Sequence, residues 1–230
     1  MNFAATPLFN VTLHAGTLAI VMFYFRSEIT SILSSLARWD LESEYGQWIP
    51  LMIIAMVPTG IIGLAYVTFL ETSFQTIPMI GMTFLVGASI LYVSRIGKEK
   101  TESVTYAMAL LAGITQGFAI FPGLSRSGVA ISSLLLLGLK REKAYKFSFL
   151  LSIPAILGDL IIEAYTQRGQ FAVQGVGSVN LLVGLVLAMV AGYAAIRIVG
   201  KLVTTRRFHY FAFYTWSLGV VLILLFLAGF

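Results

Sequence analysis

What limits this chain first is the length of its apolar runs. Six can be traced, at 8–25, 48–69, 76–94, 147–165, 179–196 and 210–230. Each is close to the ~20 residues that a helix needs to cross a hydrocarbon core about 30 Å thick. None alternates apolar and polar residues, which sets a transmembrane barrel aside. Mean hydropathy is +0.91 and only 11% of residues are charged, where a soluble domain carries about 25%. The expected fold is an all-α polytopic membrane protein, a single integral membrane domain over residues 1–230.

One apolar segment does not fit the span pattern. Residues 104–139 are about two spans' worth of chain, and their centre reads "QGFAIFPGLSRSGVAISSLLLLG" from Gln116 to Gly138. Pro122 removes a helix hydrogen bond and Gly123 adds backbone freedom, so the helix is expected to break there. The segment either crosses once or dips in and returns to the same face. Loop charge decides, because lysine and arginine gather on the cytoplasmic side. If it returns, every one of the 15 lysines and arginines except Arg126 and Arg168 falls on one face. If it crosses, "KREKAYK" moves to the opposite side and the asymmetry weakens. The reading is therefore six transmembrane helices plus one re-entrant pair at 104–139, with the basic loops in the cytoplasm. Spans one to three then run opposite to spans four to six, the pattern of an inverted repeat. The repeats are 1–95 and 104–230, the first shortened at its N-terminus because no matching re-entrant piece precedes it.

Arg126 is the chemically costly residue. A charged side chain near a bilayer centre costs at least about 2.5–3.5 kcal/mol on insertion scales, so it marks function by default. A guanidinium stays protonated and offers a planar fork of donors to phosphate oxygens. Ser125 and Ser127 flank it with hydroxyls, and Ser132 adds another on the restarting helix. Gly123 and Gly128 let backbone approach a ligand. A helix restarting near Ser127–Gly128 would aim free N–H groups and a positive dipole end at the same place. The expected catalytic groups are Arg126 and Ser125, and the expected substrate-binding groups are Ser127, Gly123, Gly128 and Ser132. The competing reading is a lock, in which Arg126 pairs with Asp159, the acid well inside a span, or with Glu163 one turn later. A lock leaves the surrounding serines and glycines unexplained.

Composition removes other classes. There are no cysteines and only two histidines, His14 and His209, so thiolate sites and histidine cages are out. The net charge of +5 is assigned to topology and anionic-lipid contact rather than to nucleic acid. Gly60 and Gly63 are expected to allow close helix packing, like Gly81 with Gly87 and Gly184 with Gly192. Trp39, Tyr45, Trp48 and Tyr210 are expected at the membrane interface. His14 is expected to make an interhelical hydrogen bond.

"PGLSRSG" within "QGFAIFPGLSRSGVAIS" resembles the second signature, P-G-x-S-R-S-G, of the undecaprenyl-diphosphatase (bacitracin-resistance) family. "REKAYKFSFLLSIPAILG" and "LFNVTLHAGTLAIVMFYFR" are similar to that family too, so the resemblance covers essentially the whole chain. It implies a plasma-membrane phosphatase acting on a C55-type polyprenyl diphosphate. Such an enzyme releases phosphate and returns the monophosphate carrier for envelope glycan synthesis. It also implies two inverted repeats, each with a re-entrant pair, and a divalent cation, Mg or Ca. The family's other signature, Glu-rich with a P-x-S-S-x-G-H element, does not occur in these 230 residues, and His14 is not its histidine. Ala130 stands where the family usually has Thr. The cation's ligands are therefore not identifiable here; Asp159 and Glu163 are the acids that could stand in. The expectation is a shortened form of a competent enzyme, working with the membrane and a polyprenyl diphosphate lipid, with a homodimer as the candidate assembly. The alternative function is a transporter or flippase of lipid phosphate or a small anion, since broken helices and midplane charge also describe transporters.

Overall fold

A computed structural model describes residues 7–70, 74–166 and 178–229. Its helices, in chain order, are α1 (Pro7–Tyr24), α2 (Arg26–Ala37), α3 (Glu44–Phe69), α4 (Ile77–Val93), α5 (Tyr106–Phe118), α6 (Arg126–Leu136), α7 (Arg141–Thr166), α8 (Ser178–Thr204) and α9 (Tyr210–Leu227). A short 3₁₀ turn, Ser94–Ile96, follows α4. Among the described residues the β structure is one isolated bridge, Thr101 with Leu139.

Helices α3, α4, α7, α8 and α9 are long and apolar enough to cross a membrane, giving five spans. A sixth arises if α1 and α2 count as one span, but they meet at a 76° bend. The first apolar run thus ends where expected, yet the chain does not leave as a loop. It turns at Phe25 into α2, whose Ile29 and Ile32 pack on the core while Leu33 and Leu36 stay exposed.

The re-entrant expectation has a direct geometric counterpart. At about 1.5 Å per residue, α5 and α6 are roughly 20 and 16 Å long, each too short for a core about 30 Å thick. Their outer ends are tied together: Lys100 N and Thr101 N both donate to Gly138 O, at 2.7 and 3.1 Å, and Lys140 N donates to Thr101 O at 2.9 Å. A segment whose two ends hydrogen-bond to one another has returned to the side from which it left. Packing then wraps the hairpin. A Cβ at Gly113 would lie 2.0 Å from the Ala55 carbonyl, so α5 and α3 touch backbone to backbone. The Thr59 hydroxyl donates to Gly113 O at 2.8 Å across that contact. Helix α6 is enclosed on nearly every side from Gly128 to Leu135, as backbone at membrane depth must be when it is broken.

Ion pairs show that the basic loops share one face. Lys140 meets Glu102 at 2.6 Å, Lys146 meets Glu28 at 3.2 Å, and Lys143 meets Glu44. Glu99 receives Arg141 at 3.3 Å and Arg206 at 3.7 Å. The segments before α3, after α4, before α7 and after α8 therefore converge. Arg168, expected on the other face, lies outside the described residues. Two smaller expectations need correction. Trp48 is 3% exposed and meets Phe147 edge to face in the core, because α3 turns that face to α7 and not to the interface. His14 sits on the exposed face of α1, while Gly16 and Leu18 face inward.

Candidate active site

The hairpin tip is built by a turn and a cap. Gly123 has φ +98°, a left-handed conformation that an L side chain rarely adopts, and a Cβ there would meet the Thr83 hydroxyl at 2.6 Å. Thr83 in turn donates to the Pro122 carbonyl, so α4 clasps the turn. Ser125 is the N-cap of α6, with its hydroxyl accepting from Gly128 N at 3.2 Å. A Cβ on Gly128 would lie 2.9 Å from that hydroxyl. These two glycines thus serve the tip itself, one for the turn and one for the cap. The helix restarts one residue earlier than expected, at Arg126. The N–H groups of Arg126 and Ser127 begin it and have no intrahelical acceptor. The Ser148 hydroxyl donates to Ser127 O at 3.2 Å and pins this first turn to α7.

Arg126 projects onto the wall of a cleft of about 630 Å³ between α3, the end of α5 and α7. Its Nη1 lies 2.5 Å from Asp159 Oδ2. The pairing that the lock reading anticipates is therefore present. What the lock reading lacks is the space: the two side chains retain 28% and 48% of their exposure, and both face the cleft. Glu163 lines the same cleft one turn on. A Cβ at Gly60 or at Gly158, on the α3 and α7 walls, would meet nothing within 4 Å. Gly60 is thus not a packing glycine, contrary to expectation, because no described residue packs on α3 at that point.

The structure brings Ser125, Arg126 and Ser127 together at one helix start. It does not bring Ser132 there. That side chain is 0% exposed and its hydroxyl has no partner, because α6 turns it into the packing and away from the cleft. Sequence reading missed Gln116, which lines the cleft at 1% exposure; its only signal was an amide in an otherwise apolar helix end. Among the described residues no three of His, Cys, Asp and Glu meet closely enough to hold a divalent cation, and Asp159 is engaged by Arg126.

Fold and site together define a multi-pass helical membrane protein with a re-entrant hairpin that presents a guanidinium and a helix N-terminus to an intramembrane cleft. Comparison with known proteins narrows the class. The chain belongs to the family described as "Bacitracin resistance protein BacA", which matches residues 1–221. Among similar proteins, the undecaprenyl-diphosphatase of Carboxydothermus hydrogenoformans is 37% identical, covering 96% of this chain and 84% of that one. The undecaprenyl-diphosphatase of Treponema denticola is 37% identical over 93% of this chain and 81% of its own length. That of Korarchaeum cryptofilum is 34% identical over 95% of this chain and 85% of its own length.

Proposed function

We propose that this protein is a membrane phosphatase that hydrolyses undecaprenyl diphosphate to the monophosphate and inorganic phosphate, recycling a lipid carrier for envelope glycan synthesis. The relatives' names support the activity, and one observation on this chain carries it: Arg126 opens onto the cleft from the first turn of α6. A phosphoryl group there would meet the bidentate fork of Arg126 and the first N–H groups of the helix, with Ser125 and Ser127 flanking the arginine in sequence. Negative charge developing on the phosphoryl oxygens would be stabilised by groups already in position. Asp159 holds the guanidinium in the resting state and gives it up, wholly or in part, to the incoming head group. The apolar wall past Gly60 and Gly158 gives the first isoprene units a place between α3 and α7. A divalent cation, implied by the family resemblance, belongs to this proposal as a companion of the diphosphate; the described side chains do not form its cage.

The membrane is proposed to be the plasma membrane, with the ion-paired basic face in the cytoplasm, as loop charge favours. The chain has no cysteines, so a Cys placed at Ser103 reports sidedness cleanly: a membrane-impermeant maleimide should label it only after the cells are opened. The activity itself is tested by phosphate release from undecaprenyl diphosphate with detergent-solubilised protein. Release by the parent and its loss in Arg126→Lys support the proposal. Movement of the lipid across a vesicle membrane without phosphate release would instead make the chain a transporter.

A further inference from the structure

Helix α2 has no part in the cleft. It leaves α1 at 76°. Its 12 residues are roughly 18 Å long at about 1.5 Å per residue. With α1 upright in the bilayer, α2 climbs only about 4 Å along the membrane normal. It adds almost nothing to a span and runs along the membrane instead. Charge fixes its level: Glu28 takes Lys146 at 3.2 Å, on the face where the basic loops converge. Arg26 marks the same level. Its Nη1 donates to the Phe23 carbonyl at 3.1 Å, and its guanidinium lies 4.8 Å from the Phe23 ring. The sides of the helix differ. Ile29 and Ile32 pack on the core. Leu33 and Leu36 carry the same apolar side into the open, at 57% and 46% exposure. At 3.6 residues per turn, Ser27 and Ser34 stand about 140° from the middle of that leucine pair, and both are exposed.

The corner after α2 is tightly built and presents one large side chain. Trp39 has φ +52°, a left-handed conformation in which a bulky residue is an outlier. It is nonetheless 81% exposed, so packing within the chain does not hold it there. The backbone does. Trp39 N donates to Leu36 O at 3.2 Å and Asp40 N to Ser35 O at 2.9 Å. Asp40 Oδ1 accepts from Glu42 N and Ser43 N, each at 3.1 Å, and the Ser35 and Ser43 hydroxyls meet at 3.0 Å. A corner that fixes a tryptophan outward, next to two open leucines, is made for something outside the chain. Continuity names the occupant as lipid: the outer surface of α1, a membrane helix, reaches the bend through the exposed Met22 and Phe23, and α2 carries it on. Tryptophan suits the boundary between hydrocarbon and headgroups. An amphipathic helix at that boundary sinks its apolar side and keeps its polar side wet. We infer that α2 is an in-plane interfacial helix, seated in the lipid headgroup layer on the ion-paired face, with Leu33, Leu36 and Trp39 as its lipid contacts. α1 then crosses alone, since its 18 residues reach about 27 Å.

The chain has no cysteines, so single nitroxide labels report its depth. Leu33→Cys, Leu36→Cys, Ser27→Cys and Ser34→Cys are labelled in the full chain and reconstituted in vesicles of phosphatidylethanolamine and phosphatidylglycerol. All four positions are exposed, so folding is not at stake. Collisions with oxygen, which concentrates in hydrocarbon, and with a water-soluble nickel chelate give the depth of each label. At Leu33 and Leu36 the labels are expected about 5–10 Å below the phosphates. At Ser27 and Ser34 they are expected in water, open to nickel. A second measurement reads the corner. Lipids brominated just below the headgroup should quench the tryptophan fluorescence of the parent more than that of Trp39→Phe, since Trp48 is buried in the core. Four labels equally open to nickel would put α2 in water. Four labels deeper than about 10 Å would make it the continuation of a span. Labels at Leu33 and Leu36 shielded from both reagents would mean that a second copy covers this face. Shallow quenching that is the same in Trp39→Phe would take the corner out of the lipid. Each of these four results overturns the inference, and none bears on the phosphatase reading, on which it does not rest.

Discussion

The two ends of the re-entrant hairpin hold the same chemical pair in different settings. At the base, Arg141 lies against Glu99 and reaches the Gly97 carbonyl, with its side chain 8% exposed. At the tip, Arg126 lies against Asp159 with more than a quarter of its side chain open. The base pair is the more enclosed and ties α7 to the loop after α4. The tip pair borders a cleft of about 630 Å³. An arginine beside a carboxylate therefore says little by itself. Free volume next to the guanidinium separates a clasp from a lock.

The difference is sharpest in paired substitutions. Arg126→Lys keeps the charge and loses the fork, so kcat/KM should fall about a hundredfold or more with the melting temperature unchanged. A loss of stability without a loss of turnover would turn the tip into a second lock. Arg141→Met should do the reverse. Removing Arg141 costs its buried contacts with Glu99 and the Gly97 carbonyl, but Glu99 keeps Arg206 at 3.7 Å and is a third exposed, so a loss of about 1–3 kcal/mol is expected. Chemical or thermal unfolding in detergent reads it, and the turnover of the remaining folded protein should be parental.

Glycines draw the same contrast at smaller scale. Gly60→Leu has room for its side chain and should fill the cleft. The expected outcome is about a tenfold lower kcat/KM, since one side chain in an apolar pocket is worth ~1–3 kcal/mol, with little change in stability. Gly113→Ala has no room and should destabilise the α3–α5 contact before it alters chemistry. Equal behaviour of the two would mean that the cleft is not a substrate path. Smallest of all is Asp159→Asn. A half-exposed ion pair is worth about 0.2–1 kcal/mol, so freeing Arg126 should tighten substrate binding by only about two- to fivefold. A weaker KM instead would show that Asp159 holds Arg126 in its working position.

Much of this was legible in the residues. Apolar run length located the spans, and the Pro122–Gly123 pair with loop charge located the hairpin, because both are one-dimensional signals. "SRS" marked the helix start, since serine caps helices and arginine at membrane depth needs a reason. What was not legible depends on neighbours in space. α2 was hidden because "RSEITSILSSLA" is half polar and reads as a loop; only the packing of Ile29 and Ile32 makes it a helix. Gln116 gave no periodic signal, and its unpaired oxygen exists only relative to Leu151. Gly60 has the same sequence signature as Gly81, yet the Cβ site of one is empty and that of the other lies 2.7 Å from Ile223.

The tie between Lys100, Thr101 and Gly138 also bears on how the protein is made. Neither arm of the hairpin can be handed to the bilayer alone, because neither reaches across it. The bonds that close the hairpin's base join residues 100 and 101 to residues 138 and 140, so the two arms are held as one unit only when both are present. Tied in this way, the hairpin holds its tip cation against a carboxylate of the neighbouring helix.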